Sequence, residues 1–150
     1  MSISPQRQAV LDWLEGFNKW DADAIAAPMS DESFEHQLLP TSLNRPRRSK
    51  QEFVDYIRND VVFLLRDFKV TVDEIIEEPG KVVVQASSTA QSTTGFPYYN
   101  EFMIIFHLQL SAVDGVPRIT LIKEFVDSAF TVNFFAEEKV RIAASKGSTE

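Results

Sequence analysis

The spacing of apolar residues changes period along this chain, and those changes divide it into elements. Val10, Leu14 and Phe17, with Trp13 beside them, recur at helical spacing after Ser4-Pro5, a serine cap followed by proline at the first helical position. The spacing predicts a helix to about Asn18 and a short second one from Ala22 to Ala27, capped by Asp21 and stopped by Pro28. Glu32 to Leu39 (ESFEHQLL) reads as a strand with His36 near its middle. After a proline-bearing loop, Ser49 to Glu52 forms a capping box for a helix that keeps Phe53, Ile57, Val61 and Leu64 on one face, Tyr56 at its edge, and ends near Arg66. From Phe68 the period falls to two. Strands are predicted over Phe68 to Ile76 and, after Pro79-Gly80, over Lys81 to Ser92. Phe130, Phe134 and Phe135 fit a closing helix to about Ala144.

Between these lies the segment around which the fold is organised, Tyr98 to Ser128, two apolar runs flanking Asp114-Gly115. Asp-Gly suits a two-residue type I′ turn, which needs φ > 0 at both central positions. That turn sets Val113 opposite Val116, Ile105 opposite Glu124, Met103 opposite Val126 and His107 opposite Ile122. One face then carries Tyr99, Glu101, Met103, Ile105, His107, Thr120, Ile122, Glu124 and Val126. The other carries Tyr98, Asn100, Phe102, Ile104, Phe106, Leu108, Ile119, Leu121, Lys123, Phe125 and Asp127. Both faces are apolar, so both need cover, helices on one and a second layer or subunit on the other.

Helices early and strands late predict an α+β fold, a curved antiparallel sheet wrapped over N-terminal helices with a C-terminal helix. The chain reads as one domain over residues 1–145, with a disordered tail over 146–150. A net charge of −7 argues against nucleic acid and anionic membrane as partners. No apolar run is long enough for a membrane span, and MSISPQRQ has no signal-peptide character. The absence of cysteine excludes disulfides and thiolate chemistry and fits a cytoplasmic protein. Twelve phenylalanines against three tyrosines suggest a deep apolar interior, whether core, pocket or interface.

Glu124 is the first candidate for chemistry, because a carboxylate among Ile122, Val126, Ile105 and Met103 is desolvated and suited to general acid or base work. The alternative is a salt bridge or an exposed edge position. Asp127 is either a second catalytic acid or the cap of the last helix. Glu101 shares the Glu124 face and either assists it or is solvated. His36, between Phe34 and Leu38, is a proton shuttle or a core histidine bonded to backbone. His107 ranks below it, being closer to the turn. Arg45, Arg47, Arg48 and Lys50 precede a helix start and either hold a ligand's anionic group or form a solvated loop. No metal-ligand spacing, glycine-rich phosphate loop, dinucleotide fingerprint or G-x-S-x-G motif is present.

The element order, together with FNKWDADAIAAPMSDESFEH, LLPTSLNRPRRSKQEF, YYNEF and above all IKEFVDSAF, resembles the SnoaL-like proteins of the nuclear transport factor 2-like superfamily, in particular short fungal members of secondary-metabolite pathways. The resemblance covers nearly the whole chain. It implies a cone-shaped fold and cofactor-free acid–base chemistry in a pocket between sheet and helices. The expected activity is that of an isomerase or cyclase acting on a hydrophobic polyketide- or terpenoid-type intermediate. Glu124 would be the base or acid, His36 its proton partner, with Asp127 and Glu101 as further candidates. Trp20, Tyr56, Tyr99, Met103 and Val126 would hold the substrate. A homodimer formed through the sheet would cover the second apolar face. The rival expectations are a non-catalytic small-molecule carrier or dimeric interaction module, and an enzyme that dehydrates, or opens a lactone or epoxide.

Overall fold

A computed structural model describes residues 2–147. Its elements follow the predicted order: α1 (Pro5–Lys19), α2 (Ala22–Ala26), β1 (Glu35–Leu39), α3 (Lys50–Tyr56), a π-helical turn (Ile57–Val61), α4 (Val62–Leu64), β2 (Leu65–Glu78), β3 (Lys81–Ser92), β4 (Pro97–Leu110), β5 (Pro117–Val126) and α5 (Ser128–Gly147). The helix expected to run unbroken toward Arg66 is thus α3 and α4 joined by the π turn. α5 continues to Gly147, so Lys146 and Gly147 of the expected tail are helical. The remaining tail residues, 148–150, lie outside the described residues.

The five strands form one sheet in the order β1-β5-β4-β3-β2. It is mixed rather than wholly antiparallel, because β1 runs parallel to β5, with His36 opposite Ile122 and Leu38 opposite Glu124. β1 comes from the helical half of the chain and is separated from β5 in sequence by α3, α4 and the three other strands. A hairpin relation between them was never available.

β3 shows why the sheet has one wet and one dry side. Val82, Val84, Ala86, Ser88, Ala90 and Ser92 are buried at every second position, and the residues between them are half-buried or exposed. The dry side packs on α1 and α3 through Val10, Trp13, Leu14 and Phe53, which meet Ile104, Phe106, Ile119 and Ile122. Trp13 is the centre of this cluster, edge-on to Phe17 and Phe106 at 4.7 and 5.3 Å. A second cluster of Leu65, Phe68, Ala90, Tyr98 and Phe134 lies under α5.

The β4–β5 register differs from the expected one, for two separable reasons. Of Asp114 and Gly115 only the glycine, at φ 69°, is left-handed, so no type I′ turn forms. Instead Ser111 N–H donates to Val116 O, and Gly115 N–H to Ser111 O, both at 2.9 Å, closing a four-residue loop. This moves the pairing by two residues, which leaves the faces unchanged. A bulge then moves it by one: His107 pairs with Leu121 but Leu108 with Ile119, and Thr120 faces no partner. Its hydroxyl donates to His107 O instead. A one-residue slip exchanges the faces. Ile122, Glu124 and Val126 therefore share the dry side with Tyr98, Asn100, Phe102, Ile104 and Phe106. Tyr99, Glu101, Met103 and His107 lie on the other side with Lys123 and Phe125.

Candidate functional site

The mouth of the cone, between the two apolar clusters, holds a cavity of about 90 Å³. Its walls come from four directions: Phe17 of α1, His36 and Leu38 of β1, Phe53 and Tyr56 of α3, and Tyr98, Asn100, Phe102, Glu124 and Val126 of the sheet. Thr131 and Phe135 of α5 complete it. Among the described residues that line it, Glu124 is the one carboxylate and His36 the one histidine. The volume is well below the roughly 300 Å³ at which sites for drug-sized ligands begin. A larger ligand must therefore project from the mouth or displace wall residues.

His36 Nε2 and Glu124 Oε2 are 2.9 Å apart. His36 is 1% exposed and the Glu124 side chain 16%. The imidazole packs against Phe53 at 4.5 Å between ring centres, and its Nδ1 is buried without a hydrogen-bond partner. A protonated imidazole would place an N–H there with no acceptor, a costly arrangement. The geometry therefore favours the Nε2–H tautomer, donating to a Glu124 carboxylate whose other oxygen is unbonded among the described residues. His36 orients the carboxylate; Glu124 presents it.

Two phenols face the same space. Burial raises the pKa of Tyr56 and of Tyr98, and in each the Glu124 charge adds to the rise. Both stay protonated at neutral pH and can donate to a ligand oxygen. Tyr98 receives a hydrogen bond from Asn100 Nδ2 at 3.2 Å.

Asn100 also locks the roof. Its Nδ2 donates to Thr131 Oγ1 at 2.8 Å and its Oδ1 accepts from Asp127 N at 2.9 Å. Thr131 Oγ1 in turn donates to Asp127 O at 2.8 Å. Asp127 caps α5, accepting from Phe130 N through its carboxylate. It does not line this cavity; the structure places it at the cap of α5, the second of the two roles expected of it.

The other candidates divide by face. Tyr56 and Val126 line the cavity. Tyr99, Met103 and Glu101 do not, because the Thr120 bulge sends them to the outer side; Tyr99 and Met103 are each 46% exposed. Glu101 accepts a hydrogen bond from Tyr99 there. Trp20 lies one layer back, stacked on Phe68 at 4.9 Å. Tyr98, Asn100 and Phe102 take the places expected of their neighbours. The run Tyr98, Phe102, Ile104, Phe106, Leu108 is more apolar than Tyr99, Met103, Ile105, His107, a signal that would have placed them inside. Among the described residues no group of three or more His, Asp or Glu side chains is placed to hold a metal, and no helix is long and apolar enough to cross a membrane.

Solved structures with this architecture are numerous. A pinacolase, BvnE from Penicillium brevicompactum, superposes with a TM-score of 0.75 over 93% of this chain and 99% of its own, at 22% identity. An NTF2-like protein of unknown function from Burkholderia pseudomallei superposes at 0.72 over 87% and 97%, at 17% identity. The chain has the nuclear transport factor 2-like, SnoaL-like fold. Other chains sharing this SnoaL-like fold include IdmH, a putative polyketide cyclase from Streptomyces antibioticus, at a TM-score of 0.67, 14% identity, and 89% and 99% coverage. No family model matches the sequence. Two curated relatives, each 27% identical, are named monooxygenases. One, from Claviceps purpurea, matches over 88% of this chain and 83% of its own; the other, from Pestalotiopsis fici, over 88% and 89%. Several proteins on this SnoaL-like fold thus carry enzyme names, and the reactions in those names differ.

Proposed function

We propose that this protein is a cofactor-independent isomerase or cyclase for a hydrophobic, oxygenated small molecule of the polyketide or terpenoid kind. The observation that carries this reading is the Glu124–His36 hydrogen bond at the wall of a cavity whose other lining is apolar and phenolic apart from Asn100 and Thr131. Glu124 removes a proton from carbon beside a substrate carbonyl. Tyr98 or Tyr56 donates a hydrogen bond to the oxygen on which charge develops. Glu124, now protonated, returns the proton to a second carbon, which shifts the double bond. Where the enolate first attacks an internal carbonyl, the proton goes to the new alkoxide and a ring closes. Both outcomes are balanced without a co-reactant. Positioned proton transfer gives about 10²–10⁴-fold, and confinement against Phe102 and Val126 supplies orientation.

A second reading, oxygenation, is favoured by the names of the two curated relatives. It shares the first step and parts from isomerisation in consuming dioxygen. The test is to incubate the protein with cyclic β,γ-unsaturated ketones and follow conjugated product by ultraviolet absorbance and dioxygen by electrode. Conjugation without oxygen uptake supports the isomerase. Stoichiometric uptake moves the assignment to an oxygenase, and inertness across the panel to a carrier.

The outer face of the sheet bears on assembly. Ile76, Tyr99, Met103 and Phe125 are 45–60% exposed there, so the reading includes a homodimer formed sheet to sheet, in the cytoplasm. Light scattering on the wild type and on Phe125→Asp tests the dimer, which the aspartate should dissociate.

A further inference from the structure

Arg48 is the most unusual charge in the molecule. It is only 9% exposed. Among the described residues its guanidinium makes neither an ion pair nor a hydrogen bond, and Nη1 is buried without an acceptor. Its neighbours are accounted for: Arg47 pairs with Glu35 and Lys50 with Asp31. Glu52, one turn along, feels the Arg48 charge, but its carboxylate is tied to Ser49 N.

Position explains where this unspent charge points. His36 N–H donates to Arg48 O at 2.8 Å and Arg48 N–H to His36 O at 3.0 Å. Residues that exchange both bonds in this way send their side chains to the same side. Arg48 therefore leaves the strand edge on the His36 side, toward the cavity. There the guanidinium lies over the Tyr56 ring, 3.9 Å from its centre, and that ring is a wall of the cavity. Arg48 is not itself a lining residue of the cavity; it stands on the ring of one that is, and Tyr56 feels the charges of both Arg48 and Glu124.

We propose that Arg48 recognises a planar acidic group on the ligand, a carboxylate or the paired oxygens of an enolised 1,3-dicarbonyl, whose apolar part enters the cavity. A guanidinium presents two parallel N–H donors to such a pair of oxygens, which a lysine does not. The stacked Tyr56 ring holds the fork flat. This deepens the small-molecule reading by naming the substrate class, and it rests on that reading.

Benzoate and benzamide, matched in size and shape, separate charge from fit. Their affinities are measured by ligand-detected NMR for the wild type, Arg48→Gln, Arg48→Lys and Glu124→Gln. Wild type should prefer benzoate by about tenfold, a difference near 1.4 kcal/mol. Arg48→Gln should abolish the preference while benzamide binding persists, and Arg48→Lys should retain only part of it. Lack of preference in the wild type, whether both probes bind or neither does, overturns the proposal without recourse to any variant, as does a preference that survives in Arg48→Gln. Binding is read apart from turnover. Loss of the anion preference thus leaves the acid–base role of Glu124 standing, while an inactive Glu124→Gln that still prefers benzoate leaves this one standing.

Discussion

His36 Nε2 lies 2.9 Å from Glu124 Oε2, while Nδ1 of the same ring is buried without a partner. One proton can sit between the pair, and the ring has no second acceptor to stabilise another. We predict that long-range proton–nitrogen NMR finds Nε2 protonated and Nδ1 bare. Two protonated ring nitrogens would contradict the assignment of His36 as the group that orients Glu124. Replacing His36 with Gln, which can keep one donor near Glu124, should preserve more activity than Ala.

Glu138 of α5 is wholly buried. Burial by itself would raise its pKa. The hydroxyls of Ser92 and Thr94 and the guanidinium of Arg141 outweigh that and hold it below its ordinary value of 4.5. Arg141 pairs with it at 3.3 Å and lies over the Phe96 ring, so the network fastens α5 to the β3–β4 connection. A depressed carboxylate stabilises the fold fully above its unfolded pKa. That contribution should fade as pH falls below about 4.5 and through the folded value. Glu138→Gln should cost about 2 kcal/mol at neutral pH, and its urea midpoint should fall less steeply with acid than that of the wild type.

Gly16 allows α1 and α2 to touch. A Cβ at this position would stand 2.7 Å from the backbone nitrogen of Ile25 and 2.8 Å from its Cα. Backbone atoms cannot rotate away, so Gly16→Ala should destabilise by about 1–3 kcal/mol despite alanine's better helix propensity. A gain in urea midpoint would show that the two helices can separate at no cost.

Asn100 joins Tyr98, Asp127 and Thr131, and none of its side-chain bonds reaches solvent. Asn100→Leu should leave Asp127 N–H with only its longer bond to Glu101 O, at 3.2 Å, take from Thr131 Oγ1 its donor, and cost about 1–3 kcal/mol. It should also speed amide exchange in the first turn of α5, because Thr131 loses its tie to the sheet. Unchanged exchange there would mean the aromatic contacts of Phe130 and Phe134 suffice to hold the roof.

The sequence makes some of this architecture legible and hides the rest for a physical reason. Helical spacing of Val10, Leu14 and Phe17 and the Ser49–Glu52 capping box mark elements that the structure contains, because those signals are local. His36 and Glu124 stand out because a histidine and a carboxylate interrupt apolar runs. Pairing of β4 with β5 is not local. It depends on a loop that closes at Ser111 and Val116 instead of at Asp114-Gly115, and on Thr120 standing outside the ladder. No composition rule announces that bulge, and it alone exchanged Tyr99, Glu101 and Met103 for Tyr98, Asn100 and Phe102. The stacking of Arg48 on Tyr56 is hidden for a similar reason, since it needs the bridge between Arg48 and His36.

The central claim is that Glu124 transfers the proton. The most direct test is solvent deuterium incorporation at the carbon beside the carbonyl of a cyclic ketone, followed by NMR with the wild type and Glu124→Gln. Glutamine keeps the shape and can still meet His36, but it cannot take up a proton. The account predicts incorporation above the buffer rate with wild type and a fall of about 10²-fold or more, toward that rate, with Glu124→Gln. Equal incorporation by the two proteins would contradict it.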